Sequence, residues 1–372
     1  MNVSPIKPPQ PNHPDISNIH MTAVYTIGHG GYEMLECRHD VPRPLVKAGE
    51  VLIRVGAAGV NNTDINTRIG WYSKSVTGAT SEGSIGAADN ASWSGEALCF
   101  PIIQGADICG KIVDVGEGVD GARVGERVIV ATMQPKPDGG HFDTFTVGSE
   151  CNGGFAQYVT MRASQAYKIN SELSDVELAS FPCAYSTAEN MLHRAGVKFG
   201  EVVFITGASG GVGSAAVQLA RRRGATVIAQ VGTQKAKAIL ALGASRVIDR
   251  DSNIVRELGQ ESVDVVIDIV GGPNWPPLLN ILVRGGRYVV SGAIAGPMVE
   301  LDLRTLYLKD LTFLGCTAQH QDVFGNLVGY IERSEIIPLV AGIYPLSDIV
   351  VAQQEFQLKQ HVGKIVLVPP QG

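Results

Sequence analysis

The stretch VVFITGASGGVGSAAVQLARRRGATVIAQ (202–230) carries the densest chemistry in the 372-residue chain. An apolar run ends at Thr206, and the loop Gly207-Ala208-Ser209-Gly210-Gly211-Val212-Gly213 follows. Ser214 is then expected to open an amphipathic helix that leads to a second apolar run. Glycines let the backbone turn sharply and bring the free N–H groups of a helix start against a phosphate, where the helix dipole also favours negative charge. Ala208-x-Gly210-x-x-Gly213 takes the place of Gly-x-Gly-x-x-Gly, with strand before, helix after and strand again. That context marks a dinucleotide site, against the bland alternative of a tight turn without a ligand. All seven loop residues are candidate cofactor contacts.

The end of the second run tells which dinucleotide to expect. An acidic residue there would accept from the ribose hydroxyls of NAD and repel the extra phosphate of NADP. The chain reads Gln230-Val231-Gly232-Thr233-Gln234-Lys235-Ala236-Lys237, with two lysines and no acid. A hydroxyl at Thr233 and an ammonium at Lys235 suit a 2′-phosphate, so NADP(H) is the expected cofactor. The alternative is that Lys235 and Lys237 only line the solvated face of the next helix.

These residues must be held by strands. From about residue 201, VVFIT, ATVIAQ, SRVID, VDVVIDIV, GRYVVS and LTFLG alternate with helical segments, which predicts βαβ units and a doubly wound parallel sheet. Gly271, Ser291 with Gly292, and Cys316 follow such strands at the edge where α/β folds bind ligands. Earlier, VLIRVGAAGV, GKIVDVGEGV, ERVIVATM and GGFAQYVTM alternate with glycine turns, the pattern of an antiparallel β-rich domain. The expected organisation is a leader over 1–20, a β-rich domain over 21–170, a Rossmann domain over 171–335, and a short-stranded return over 336–372. The segment 171–198 should open with a serine cap and run as a bridging helix. Residues 73–99 are rich in Gly, Ser and Ala. They read as a surface excursion or as a flap near a substrate entrance anchored by Trp71, Tyr72 and Trp93.

Bulk properties narrow the classes. A net charge of −6 without a long run of one sign argues against nucleic acid as a partner. Six scattered cysteines suit reduced thiols rather than a disulfide framework or a zinc ribbon. No apolar stretch is long enough to span a bilayer, and the proline-rich first twenty residues lack the apolar segment of a secretory signal. A cytoplasmic protein without a membrane partner is expected. His141, His193, His320 and His361 show no spacing that suggests a metal site or a triad. Arg221-Arg222-Arg223 should close a helix, where positive charge suits the dipole.

The motifs VNNTDINTRIGWY, FPIIQGADICGKIVDVGEGV, RVGERV, GGFAQY and ITGASGGVGSAAVQLA resemble the medium-chain dehydrogenase/reductase superfamily, in its quinone oxidoreductase branch. The resemblance runs from Met21 to Pro369. It implies an α/β chain with a Rossmann domain and a GroES-like β-rich catalytic domain, and a homodimer. Zinc alcohol dehydrogenases of that superfamily hold zinc through a Cys, the His of Gly-His-Glu, and a later Cys. The matching positions here are Asn61, Ala106 with Asp107 after it, and Cys183, so one donor of three remains and no metal is expected. Cys183 then reads as a buried thiol.

Without zinc, reduction of an isolated carbonyl loses its Lewis acid. A conjugated acceptor spreads charge onto oxygen, and hydrogen-bond donors suffice for that. The resemblance therefore implies a quinone, enone or enal as substrate. It places Asn61 near the nicotinamide, Tyr72 in the reductase pocket, Thr63 where alcohol dehydrogenases keep a relay hydroxyl, and Thr187 against the nicotinamide face. Asp64 is expected to tie its loop to Arg68. Asn66 stands where several quinone reductases have a tyrosine, so that pocket does not carry over whole. Two alternatives stay open: an alcohol dehydrogenase or carbonyl reductase using Thr63 or Tyr72, and a catalytically weak NADPH-binding protein.

Overall fold

The computed structural model describes residues 20–82, 92 and 97–371. The leader and Trp93 lie outside the described residues.

Six parallel strands form the dinucleotide-type sheet, in the spatial order Arg246–Asp249, Thr226–Val231, Val202–Ile205, Val263–Asp268, Leu282–Val290, Thr312–Gly315. Their near-continuous apolar runs suit burial on both faces. Val203, Ile205, Val265 and Ile267 pack into one core, while Phe204 and Val266 face a second one with Trp275, Leu278 and Tyr288. Strand order reverses between Val202–Ile205 and Val263–Asp268, the switch point at whose carboxyl edge ligands bind.

The other large sheet is built around Glu50–Gly59, which pairs antiparallel with Asp107–Val115, Tyr158–Arg162 and Lys364–Val368. The C-terminal strand thus enters a sheet made mostly of strands from the first half of the chain. It arrives by a helix, Ile349–Leu358, where the sequence suggested only short strands. Its apolar residues Ile349, Ala352 and Phe356 sit at helical spacing and are buried, a signal that three strand-like valines and isoleucines obscure.

Two helices connect these sheets to the site. Asn62–Ile69 starts at Asn61, whose N–H donates to Asp64 Oδ2 at 2.7 Å, and stops at Gly70 with a left-handed φ of 71°. Pro182–Arg194 begins with proline in its first turn and buries Ala184, Ala188, Met191 and Leu192 against the parallel-sheet domain. A short helix Asp175–Leu178, capped by Ser174, precedes it, so the bridge is two helices rather than one.

Candidate active site

The glycine loop follows Val202–Ile205 as its sequence predicts, with one shift: the helix begins at Gly211, not Ser214. Glycines tolerate this start because close packing, rather than a side-chain cap, fixes it. A Cβ on Gly213 would come within 2.3 Å of Gly207 O, and Gly207 itself holds a φ of 56°. Gly210 caps the helix without a side-chain hydrogen bond, which leaves the first-turn N–H groups available to an anion. The cradle therefore fits a dinucleotide diphosphate.

A buried carboxylate that sequence reading passed over organises the neighbouring edge. Asp268 accepts from Thr206 Oγ1 (2.6 Å), Tyr288 OH (2.6 Å), Val270 N (2.9 Å) and Gly271 N (3.2 Å). This network sets the turn at Gly271, whose φ is 61°. A Cβ on Gly292 would come within 3.2 Å of Ile269 O, while the Ser291 hydroxyl donates to Cys316 O at 2.6 Å and so serves packing.

At the adenosine end the structure adds an acid. Thr233 donates to Asp249 through both its N–H (2.9 Å) and its hydroxyl, and these bonds hold the carboxyl below its usual range. Asp249 lies at the end of the adjacent strand, nineteen residues beyond Gln230, so local reading could not find it. Lys235 Nζ approaches Ser209 Oγ at 3.5 Å, and its pKa is lowered by burial and by Arg250. Lys237 is exposed.

The second cluster answers what stands in the metal positions. Lys364 Nζ donates to Asn61 Oδ1 and to Val60 O at 2.9 Å, and it forms an ion pair with Asp107 Oδ2 at 2.7 Å. Asn61 Nδ2 also donates to Asp107 Oδ2, at 2.9 Å. The other oxygen of Asp107 accepts the Cys183 N–H at 2.5 Å, in the first turn of Pro182–Arg194, where a negative charge is favoured. Asp107 is fully buried and the Lys364 side chain nearly so. Burial, then Asp107, pushes the Cys183 thiol far up from its usual range.

This donor set does not fit tetrahedral zinc. Ala106 offers no ligand, both ends of the Asn61 amide are engaged, and a cation already sits beside them. No group of three or more His, Cys, Asp or Glu placed to hold a metal occurs among the described residues.

Tyr72 hydrogen-bonds with Thr63 and Asn66, and burial lifts its pKa to about 12, so the hydroxyl stays protonated at neutral pH. Thr187 hydrogen-bonds with Cys183 on the bridging helix. The structure thus brings Asn61, Thr63, Tyr72 and Thr187 around Asp107 and Cys183. Trp71 anchors the following loop by donating to Gly78 O at 3.1 Å, and Thr80 N–H donates to Ile294 O at 3.1 Å.

One expectation needs correction, and two others gain detail. Asp64 is not tied to Arg68: it accepts from Asn61 N and Gly105 N, whereas Arg68 reaches Gly30 O, Gln353 and the Tyr32 ring. Their i,i+4 spacing suggested a pair, but the carboxylate is drawn back to cap its own helix. Among the histidines, whose spacing suggested neither a metal site nor a triad, His193 stacks on His320 at 4.9 Å between ring centroids, and His141 lies 6.1 Å from His320. Arg222 and Arg223 do more than favour a helix end, since they pair with Glu335 and with buried Glu189.

No helix among the described residues is long and apolar enough to cross a membrane. Residues 47–171 match the alcohol dehydrogenase GroES-like domain, and residues 211–333 match the zinc-binding dehydrogenase domain. An acryloyl-coenzyme A reductase from Metallosphaera sedula is 31% identical, over 93% of this chain and 99% of its own. A quinone oxidoreductase from Lama guanicoe is 31% identical, over 94% and 97%. Among solved structures, a Sinorhizobium meliloti 1021 protein assigned provisionally as an alcohol dehydrogenase is 46% identical, with a TM-score of 0.87 over 94% of this chain and 97% of its own.

Proposed function

The chain belongs to the medium-chain dehydrogenase/reductase superfamily, and from that premise we propose that it is an NADPH-dependent reductase of quinones, enones or enals that works without a catalytic metal. The observation that carries this reading is the ammonium of Lys364, seated between Asn61 and Asp107 at the positions where the superfamily's zinc enzymes keep ligands. A divalent ion there would face the like charge of the ammonium and compete with it for Asp107.

When bound, NADPH supplies the hydride. The chain's own residues orient and stabilise. Tyr72, held by Thr63 and Asn66, is the donor proposed for the acceptor oxygen on which charge develops. Its high pKa suits donation of a hydrogen bond at neutral pH. Asn61 becomes a positioning residue, because its amide holds Lys364 and Asp107 rather than a substrate. Lys235, with Arg250 beside it, is proposed for the 2′-phosphate, and the charge of Asp249 is already met by Thr233 and the Asp251 N–H. Both named relatives act on conjugated acceptors by their names, a quinone in one and an acryloyl thioester in the other.

A second reading, oxidation of alcohols or reduction of isolated carbonyls, is favoured by the Thr63–Tyr72 hydrogen bond, which could relay a proton. A steady-state screen following nicotinamide absorbance separates the two. Oxidation of NADPH by quinones, enals or enones, with no turnover of simple alcohols and NADP+, is expected; the reverse pattern would select the second reading.

A further inference from the structure

Four basic side chains converge on the glycine loop, and three of them come from the C-terminal return. Lys235 Nζ donates to Lys359 O at 2.5 Å, besides approaching Ser209 Oγ. Gly363 N–H donates to Ser209 O at 3.4 Å, so the return crosses directly over the loop. Lys359 caps the helix Ile349–Leu358 in a left-handed backbone, with φ 53°. Its ammonium lies 3.8 Å from the Phe356 ring centroid and 3.3 Å from Asn62 Oδ1. His361 Nδ1 is buried and has no hydrogen-bond partner.

The charge balance of this cluster is uneven. Lys235, Lys359 and Lys364 all act on His361, and Lys235 and Lys364 act on Lys359. Arg250 adds its charge at Lys235, and Asp107 is the carboxylate facing Lys364. Local desolvation at the ammonium and these neighbours hold Lys359, an otherwise exposed residue, down to about 8, and burial and the same neighbours hold the His361 imidazole down to about 4. Such a group of repelling cations around an unpartnered ring nitrogen is relieved by an anion. The cluster runs from Lys235, on the adenosine side, to Lys364, beside Asn61. A dinucleotide seated on the glycine loop would set its diphosphate between those two points.

Resting on the dinucleotide reading above, we propose that Lys359 and His361 close on the diphosphate from the side opposite the glycine loop, with one proton drawn from solvent onto Lys359 as the dinucleotide binds. The His361 Nδ1–H donates to a phosphate oxygen, and the Lys359 ammonium supplies charge. Because NADH and NADPH share the diphosphate, this grip serves both, unlike the contact of Lys235.

Isothermal titration calorimetry with NADPH and with NADH, in buffers of different ionisation enthalpy, tests this at pH 8.5 and at pH 6.5. Wild type should take up a substantial fraction of a proton at pH 8.5 and less from Lys359 at pH 6.5, where it is already charged. Lys359→Met should weaken both dinucleotides by about tenfold or more and abolish the uptake at pH 8.5. Lys359→Arg should bind both dinucleotides within a few-fold of wild type yet take up no proton at pH 8.5, since guanidinium is charged throughout. His361→Phe should weaken both dinucleotides alike. Unchanged uptake in Lys359→Arg would overturn the proposal. So would native affinity in a folded Lys359→Met variant, or a loss confined to NADPH. If wild type bound neither dinucleotide, the underlying reading would fail first.

Discussion

The carboxylate of Asp107 joins two parts of the chain: one oxygen lies 2.7 Å from the ammonium of Lys364, and the other accepts the Cys183 N–H at the start of the bridging helix. Asn61 completes the network by contacting both charged groups. Four segments distant in sequence therefore meet at one buried ion pair. A buried pair of this kind gives little net stability by itself, but losing one partner leaves an uncompensated charge.

Lys364→Met is accordingly expected to destabilise the fold by about 3–5 kcal/mol, read by urea unfolding. Pairing it with Asp107→Leu should cost clearly less than the sum of the two single changes, with a coupling on the order of 1 kcal/mol or more. Strict additivity would contradict the assigned network.

Tyr72→Phe removes the proposed donor without removing the ring. We expect kcat to fall roughly 10²-fold while the dinucleotide Kd stays within a few-fold of wild type. Because the Tyr72 hydroxyl is held up at about 12, its own titration should not limit the rate below about pH 10. An unchanged kcat in the phenylalanine variant would remove Tyr72 from the mechanism.

Lys235→Ala tests the cofactor preference. The affinity for NADPH should drop about tenfold or more and that for NADH should change little, measured by fluorescence titration. Parallel losses would place Lys235 on the shared part of the dinucleotide, and a wild-type preference for NADH would show that Asp249 decides.

Asp64 gives a pH signature. Burial raises it to about 7, against hydrogen bonds from Asn61 and Gly105 and the charge of Lys364. Its folded pKa thus lies above the unfolded value of about 3.9, so the folded state holds the proton across that window. The associated stability is complete below about pH 4 and is lost as pH rises to about 7. Relative to Asp64→Asn, wild type should therefore weaken between pH 4 and 7, by an amount on the order of a few kcal/mol. Parallel stability curves for the two proteins would refute this.

Much of the fold was legible because its signals are local. The six apolar runs after residue 201, the glycine loop and the Ser174 cap each announce themselves within a dozen residues. The site was legible at its positions but not in its partnerships. Asn61, Ala106 and Cys183 show in sequence that zinc donors are missing, yet nothing near them indicates that Lys364, some 300 residues on, fills the gap. Asp249 and Asp268 escape for the same reason, since each acts across a parallel sheet whose neighbours are far apart in the chain. The Asp64–Arg68 pairing failed because helix spacing cannot show that a carboxylate turns back to cap its own first turn.

The most direct measurement is the metal content of the purified protein, taken on the same sample as NADPH oxidation by a quinone or an enone before and after treatment with a strong chelator. With Lys364 in the cation's place, metal should be far below one equivalent per chain and turnover should be unchanged by chelation. One tightly held zinc per chain, with activity lost on its removal and regained on its return, would contradict the account.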